Sequence, residues 1–324
     1  MSAVLFTCAG QRVDIVRAFR EAGAVTLAAD ADPLAPALYH ADRQAVVPLV
    51  GDPDYVPTIA RLVEEYDVGL LVPLNDLDHP VLSRAREELR PALLLLPETD
   101  VCDRMSDKLE AHRFFVEHGI ASPRSWAPEA VPPEARYPLL VKARQGFGSR
   151  HIYRADDPEQ LDFFLRYTTA ASFVQERCLG EEFSIDVFSD LDGRCLNAIP
   201  RTMLMSKGGE SIKGASIKDV ELIEYGAHVA ETVGIKGPAN VQCFREADGS
   251  LPVTDVNTRF GGGFPLPLAS GGRYPELALA LARGERLEPQ LGEFEEGVFM
   301  TRFFSEICLT RDGNGSLRVI ERVP

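Results

Sequence analysis

Over its first hundred residues the chain alternates short apolar runs with longer amphipathic stretches, and this rhythm limits the fold more than any other feature. The runs fall at 3–7, 25–29, 45–49, 69–72 and 93–96. Apolar runs this short predict strands, and the stretches between them predict crossover helices. Val13, Val16 and Phe19 recur at a three-residue step, and Ile15 joins Phe19 at a four-residue step, so they share one helical face. Further helices are expected over 55–66 and 81–89. A repeated βαβ unit implies an open parallel α/β sheet. Such sheets bind ligands outside the carboxyl ends of their strands, so the loops at 8–10, 30–33 and 73–78 are expected to form a substrate platform.

Near Val101 the pattern changes. Asp107 and Lys108 open a helix with Ala111, Phe114 and Phe115 on one side, which Gly119 closes. The next segment, SPRSWAPEAVPPEARYP, carries too many prolines for a helix or a central strand and predicts a subdomain boundary near residue 120. Strand-like runs at 139–143, 173–175 and 183–189, with a glycine-rich loop and a helix near 158–167, fit a small α+β lid. Asp219 then caps a helix whose Leu222, Gly226, Val229 and Val233 share a face, and Gly234 ends it. The expected organisation is a first domain over 1–103 and a second over 104–324, the latter split into a lid at about 121–184 and a larger subdomain at about 185–324. The class is α/β, with α+β character in the second half.

Composition narrows the partners. Thirty-four Lys and Arg against 49 Asp and Glu leave a net charge of −15, the wrong sign for coating nucleic acid or an anionic membrane. No apolar run approaches the roughly 20 residues of a membrane span, and a cytoplasmic protein is expected. Six cysteines lie far apart with no C-x-x-C, so they are expected to be reduced. The histidines form no H-x-x-x-H pair, and any metal should therefore be held by oxygen.

The stretch NVQCFREADGSLPVTDVNTRFGGG, residues 240–263, reads as two alternating strands around Asp248-Gly249, a type I′ hairpin signal. A two-residue turn there sets Gln242 opposite Asp255 and Asn240 opposite Asn257, with Asp255 and Asn257 on one face. Gln242, Asp255 and Asn257 then form an oxygen-rich patch suited to Mg²⁺, which takes a few carboxylate or amide oxygens and completes its shell with water and phosphate. Arg259 is placed to reach a phosphoryl group, and the Gly261-Gly262-Gly263 turn would admit a substrate close to the backbone. An ordinary hairpin with a solvated polar face would carry the same residues.

Two further stretches bear on chemistry. In LLVKARQGFGSRHIY, Lys142 ends an apolar strand and precedes Gln145, Gly146, Phe147, Gly148, Ser149 and Arg150, a loop whose amides could turn toward a phosphate. Its spacing is neither that of a Walker A loop nor of a dinucleotide fingerprint. In FVQERCLGEEFSIDV, Glu176 to Gly180 reads as a connector whose backbone could meet an adenine edge, with Glu182 beyond it placed for ribose hydroxyls.

Lys108, Lys142 with its glycine loop, Glu176 to Glu182, and Gln242, Asp255, Asn257 and Arg259 occur in the order that resembles the ATP-grasp superfamily. The resemblance covers nearly the whole chain. VLFTCAGQR, AADADPLAPALYHAD and VPLNDLD are similar to the Rossmann-like domain that precedes the ATP-grasp domain in single-module relatives of the carbamoyl-phosphate synthase large subunit. It implies that Lys108 and Lys142 contact the α- and β-phosphates of ATP, with Gln145, Gly146, Phe147, Gly148 and Ser149 closing over them. Glu176, Cys178 and Leu179 would read adenine, and Glu182 ribose. Gln242, Asp255 and Asn257 would surround one or two Mg²⁺ ions, with Mn²⁺ as a substitute, and Arg259 would stand near the γ-phosphate. Lys207 is implied to act in catalysis, while Arg12, Asp76, Arg201, Lys213, Gly262 and Gly263 would face the substrates. Asp255 departs from the family, which usually has glutamate there, so the site is expected to be active but retuned.

The activity implied is amide formation between a small carboxylate and an amine, such as an amino acid, through an acylphosphate. A homodimer is compatible with it, and neither nucleic acid nor membrane is required. Three alternatives stay open: carbamate or carboxyphosphate phosphorylation, a nucleotide-binding protein without turnover, and a nicotinamide-dependent oxidoreductase. The last is suggested by Asp30, which follows Gly10 by 20 residues, as a ribose-binding acid would.

Overall fold

A computed structural model of the chain describes residues 2–146, 151–207, 210–313 and 315–320. Internal contacts divide it into two units, each discontinuous in sequence: residues 1–96 with 273–288 and 301–324, and residues 97–272 with 289–300.

The first unit is built on a five-stranded sheet of β1 (Ala3–Thr7), β2 (Thr26–Asp30), β3 (Arg43–Val46), β4 (Val68–Pro73) and β5 (Leu93–Leu94). All of its pairings are parallel, in the order β3-β2-β1-β4-β5. β1 is buried at every position, as a central strand covered on both faces must be. Helices α1 (Val13–Glu21), α2 (Tyr55–Glu65) and α3 (His79–Arg84) supply the crossovers. In α1 the expected apolar face is the buried one, with Ile15, Val16 and Phe19 inside and Phe19 edge-on to Phe6 at 5.2 Å. Helix α3 starts two residues earlier than expected, because Pro80 is accommodated in its first turn. It also ends sooner, at Arg84, with turns leading to Leu89.

The second unit opens with α4 (Thr99–Ser106) and α5 (Lys108–Glu117). Asp107 caps α5 by accepting from the Leu109 and Glu110 amides at 3.1 and 3.4 Å. A four-stranded antiparallel sheet follows, formed by β6 (Ser125–Trp126), β7 (Leu139–Ala143), β8 (Ile152–Ala155) and β9 (Ser172–Glu176), with α6 (Pro158–Tyr167) against it. The order is β6-β9-β7-β8, so the proline-rich connector supplies only a two-residue strand at the edge.

A second four-stranded antiparallel sheet is made of β10 (Glu181–Ser189), β11 (Cys195–Thr202), and two strands joined by the predicted hairpin, with a short β12–β13 pair (Met205–Lys207, Glu210–Ala215) set apart from it. Helix α7 (Val220–Val233) covers one face and ends at Gly234, whose φ of +82° is the left-handed cap expected there. Its Gly226 lies so close to β10 that a Cβ would sit 2.5 Å from Ile185 Cγ2. The apolar side of the sheet, with Phe183, Ile185, Val187, Val241 and Cys243, is therefore sealed. The hairpin strands β14 (Gly237–Arg245) and β15 (Val253–Asn257) complete the order β11-β10-β14-β15. A short helix, α8 (Pro265–Ala269), follows the glycine turn.

Candidate active site

Antiparallel partners opposite one another share a face. Ser184, Gln242 and Asp255 form one row, and Asp186, Asn240 and Asn257 the next. Arg201 lies opposite Ser184 from β11, and Glu182 is two residues before Ser184 on β10. The face turned away from the apolar core thus gathers six carboxylate or amide side chains, Glu182, Asp186, Asn240, Gln242, Asp255 and Asn257, besides Ser184, with Arg201 beside them. Gln242, Asp255 and Asn257 are brought together as the sequence implied.

The turn that achieves this differs from the expected one. Gly249 N–H donates to Glu246 O at 2.9 Å and Glu246 N–H to Ser250 O at 3.0 Å. Gly249 has φ +83°, whereas Asp248 is not left-handed as a type I′ turn would require. The loop is a three-residue one ending in a left-handed glycine. Asp248 prefers it because its carboxylate then accepts from the Ser250 amide and hydroxyl at 2.9 and 2.7 Å. The change shifts pairing by one residue near the tip. A bulge between Gln242 and Cys243, with Thr254 as the extra residue on β15, shifts it back.

Sequence reasoning missed Asp186 and Asn240. Asp186 is 1% exposed and Arg201 2%. Arg201 Nε donates to Asp186 Oδ2 at 2.8 Å, and Asn240 Nδ2 to Asp186 Oδ1 at 3.0 Å. The glycine turn rests on this cluster: a Cβ on Gly261 would lie 2.4 Å from Asp186 Oδ1, and one on Gly263 2.4 Å from Arg201 Cζ. Gly262, between them, is half-buried. The missed signal was the period-two spacing of Glu182, Ser184 and Asp186 in EEFSIDV.

Two cations serve this face. Lys108, the first residue of α5, donates to Asp255 Oδ1 and Oδ2 at 2.9 and 2.8 Å. Lys142 donates to Gln175 Oε1 at 3.1 Å, and Gln175 is held in turn by Ser125 Oγ at 2.9 Å. Burial, and then the Lys108 charge, push the Lys142 ammonium down to about 8, with Asp255, Cys178 and Glu182 opposing. Burial raises the Glu182 carboxyl, and Arg201 and Lys142 counter it. Arg259 donates to Asn257 Oδ1 and to Phe260 O, both at 3.1 Å.

The expected adenine connector is engaged within the protein. Glu176 accepts from Arg124 Nε at 2.9 Å, and the Leu179 amide donates to Glu246 Oε1 at 2.9 Å. Burial raises the Cys178 thiol to about 12, so it is a neutral group here. Gln145 and Gly146 are exposed, Gly146 with φ +124°. Asp107, Arg144, Gln145, Ala170 and Ala171 line a cavity of about 550 Å³. Phe147, Gly148 and Ser149 lie outside the described residues.

Lys207 pairs across β12–β13 with Glu210 in backbone register, and Lys213 is exposed on β13. In the first unit, Arg12 at the start of α1 contacts Asp14 at 3.3 Å, and Asp76 is half-buried in the loop after β4. Asp30 accepts from the Gly10 amide at 2.7 Å and from the Asp32 amide at 2.8 Å. Its carboxylate braces its own loop, which accounts for its spacing from Gly10 without a nicotinamide ribose.

Among the described residues no three His, Cys, Asp or Glu side chains cluster as a metal site. One carboxylate and two amides remain, an all-oxygen set that fits Mg²⁺ carried by a polyphosphate rather than a fully protein-ligated ion. Residues 169–303 match the family model described as "ATP-grasp in the biosynthetic pathway with Ter operon". Over these residues the chain carries an ATP-grasp domain. Residues 4–92 match the "PylC-like, N-terminal domain". No curated protein matches the chain.

Solved structures share its architecture. L-amino acid ligase from Bacillus licheniformis is 19% identical, with TM-score 0.71 over 91% of this chain and 78% of that one. The biotin carboxylase domain of 2-oxoglutarate carboxylase from Hydrogenobacter thermophilus, in complex with MgADP, ADP and bicarbonate, is 16% identical, with TM-score 0.74 over 100% of this chain and 84% of that one. N5-carboxyaminoimidazole ribonucleotide synthetase from Thermotoga maritima is 17% identical, with TM-score 0.69 over 89% and 77%. At such identities the likeness is one of fold. Among the described residues no helix is long and apolar enough to cross a membrane.

Proposed function

We propose that this ATP-grasp chain is an ATP-dependent carboxylate–amine ligase that forms an amide through an acylphosphate. The observation that carries the reading is the meeting of Lys108 with Asp255, and of Lys142's field with the same carboxylate, at an oxygen-lined sheet face of an ATP-grasp fold. Structures of similar architecture, an amino-acid ligase and a carboxylase domain with MgADP, support it.

In this reading Lys108 and Lys142 hold the triphosphate, and Glu176, Cys178, Leu179 and Glu182 take the nucleoside. Gln242, Asp255 and Asn257 would hold Mg²⁺, which supplies charge neutralisation on the phosphates when bound. A substrate carboxylate oxygen attacks the γ-phosphorus and ADP leaves. The amine then attacks the acyl carbon and phosphate leaves. Both steps develop negative charge that Arg259 and Lys142 neutralise from fixed positions. No protein nucleophile is needed, in keeping with cysteines whose thiols burial holds in the neutral form. Lys207, Lys213, Arg201, Gly262 and Gly263, with Arg12 and Asp76, are assigned to the small carboxylate and amine. We place the protein in the cytoplasm, where its free cysteines would stay reduced, and infer that a homodimer is its simplest assembly.

The test is a phosphate-release screen over pairs of amino acids and small carboxylates, with product mass to identify the amide. Lys142→Ala and Asp255→Ala should each lower turnover by about 10²-fold or more with circular dichroism unchanged. Wild-type rates in both variants would remove the site assignment.

A further inference from the structure

We propose that this chain masks its own metal position until a nucleotide arrives: the cations meant for phosphate sit on the oxygens meant for Mg²⁺. The inference rests on the ligase reading for the identity of the site's ligand, a magnesium nucleotide.

Two separate contacts carry it. Lys108 Nζ lies 2.9 and 2.8 Å from the two oxygens of Asp255, so it uses the whole chelating edge of the only carboxylate in the donor set. Arg259 Nη2 lies 3.1 Å from Asn257 Oδ1, the oxygen that amide would offer a metal. The Lys108 and Asp255 side chains are 17% and 19% exposed, sheltered enough for solvent and salt to screen the pair only in part. The backbone that carries Lys108 is fixed as well. Its own amide donates to Arg144 O at 2.9 Å, and the preceding cap, Asp107, is clamped by Arg144 Nε at 3.0 and 2.9 Å.

A free divalent ion entering here would have to expel an ammonium from its counter-ion and leave that cation beside Lys142. Gln242 and Asn257 are neutral and cannot compensate. A polyphosphate changes the balance, because it offers Lys108 and Arg259 new anionic partners and releases Asp255 and Asn257 together. Nucleotide and metal therefore stabilise each other beyond their direct contact, and the coupling must be reciprocal.

The test uses the intact chain and two probes, Mn²⁺ followed by electron paramagnetic resonance and ADP followed by calorimetry. Without nucleotide, Lys108→Met should bind Mn²⁺ about tenfold or more tightly than wild type, and Lys108→Met/Asp255→Asn should lose that gain. Equal Mn²⁺ affinity in wild type and folded Lys108→Met would overturn the inference. Should Lys108→Met not fold, Asp255→Asn gives the reciprocal measurement. In EDTA it should bind ADP several-fold more tightly than wild type, since Lys108 is released, and unchanged or weaker binding overturns the inference. Failure of wild type to bind MgADP at all would instead remove the ligase reading, so the two failures are told apart.

Discussion

Asp186 and Asp78 are both sealed from solvent, at 1% and 0% exposure, yet the two halves of the chain treat them differently. Asp186, in the antiparallel sheet of the second unit, is matched by the Arg201 guanidinium and the Asn240 amide. Asp78, just beyond β4 of the parallel sheet, accepts from Tyr55 OH at 3.0 Å, with Cys8 Sγ 3.9 Å from the same hydroxyl. Burial raises the Asp78 carboxyl, while His79 and hydrogen bonds from Thr7, Tyr55 and Cys8 oppose the rise. Burial also raises the Tyr55 hydroxyl and the Cys8 thiol, with Asp78 adding to both. One carboxylate is thus an ionic joint between three strands and a turn. The other is a carboxyl that burial pushes toward its neutral form, held in a hydrogen-bonded plug. A site that must hold a guanidinium and two side-chain-free glycines in register needs the first kind. A sheet that only has to bury its loop needs the second.

Breaking the ionic joint should give the largest effect on the fold. Asp186→Ala leaves Arg201 buried without its counter-ion, which costs about 3–5 kcal/mol. Urea unfolding of the intact chain measures it, and a loss below about 1 kcal/mol would show that Arg201 finds water instead. Gly263→Ala comes next. Its new Cβ would sit 2.4 Å from Arg201 Cζ and 2.7 Å from Nη1, so the turn must lift off the cluster at about 1–3 kcal/mol. Gly51→Ala is the matched control, with nothing within 4 Å of its Cβ, and should be close to neutral. If both glycine variants unfolded together with wild type, the cluster would not be what fixes the turn.

How much of this was legible in the sequence follows from the range of each interaction. The βαβ rhythm announced the parallel sheet because strand burial is written locally, in runs such as 3–7 and 69–72. The facing of Gln242 by Asp255 was also legible, although through a turn of the wrong type. The extra residue at the hairpin tip and the extra Thr254 at the bulge cancel, so the expected partners met. Lys108 was assigned to phosphate, but its contact with Asp255 spans 147 positions and left no local trace. The same holds for Arg201 and Asp186, which meet only because β10 and β11 are neighbours in one register. The helix at Tyr274–Ala282, which returns to the first unit and meets α1 and β4, likewise has an apolar pattern that says it is buried but not against what.

The smallest effect is expected at Asp78, and it is the one that sharpens the comparison. A carboxyl whose folded-state pKa is raised stays protonated while the unfolded chain ionises near its ordinary value of 3.8. The folded state then binds more protons, so stability is fully present below the unfolded pKa and is lost as pH rises through the folded one. Asp78→Asn removes that loss, because the amide keeps a group able to accept from Tyr55 and cannot ionise. Near pH 4 the variant should match wild type to within about 1 kcal/mol. From pH 4 to pH 7 it should gain on wild type, read as the difference in urea midpoint and in hydrogen-exchange protection of β1 and β4. Asp186→Asn should instead be less stable than wild type across that whole range, because it removes the buried counter-ion that Arg201 Nε donates to. A Asp78→Asn variant that instead fell behind wild type as pH rose would mean that Asp78 carries a charge the first unit depends on, and the contrast between the two carboxylates would collapse.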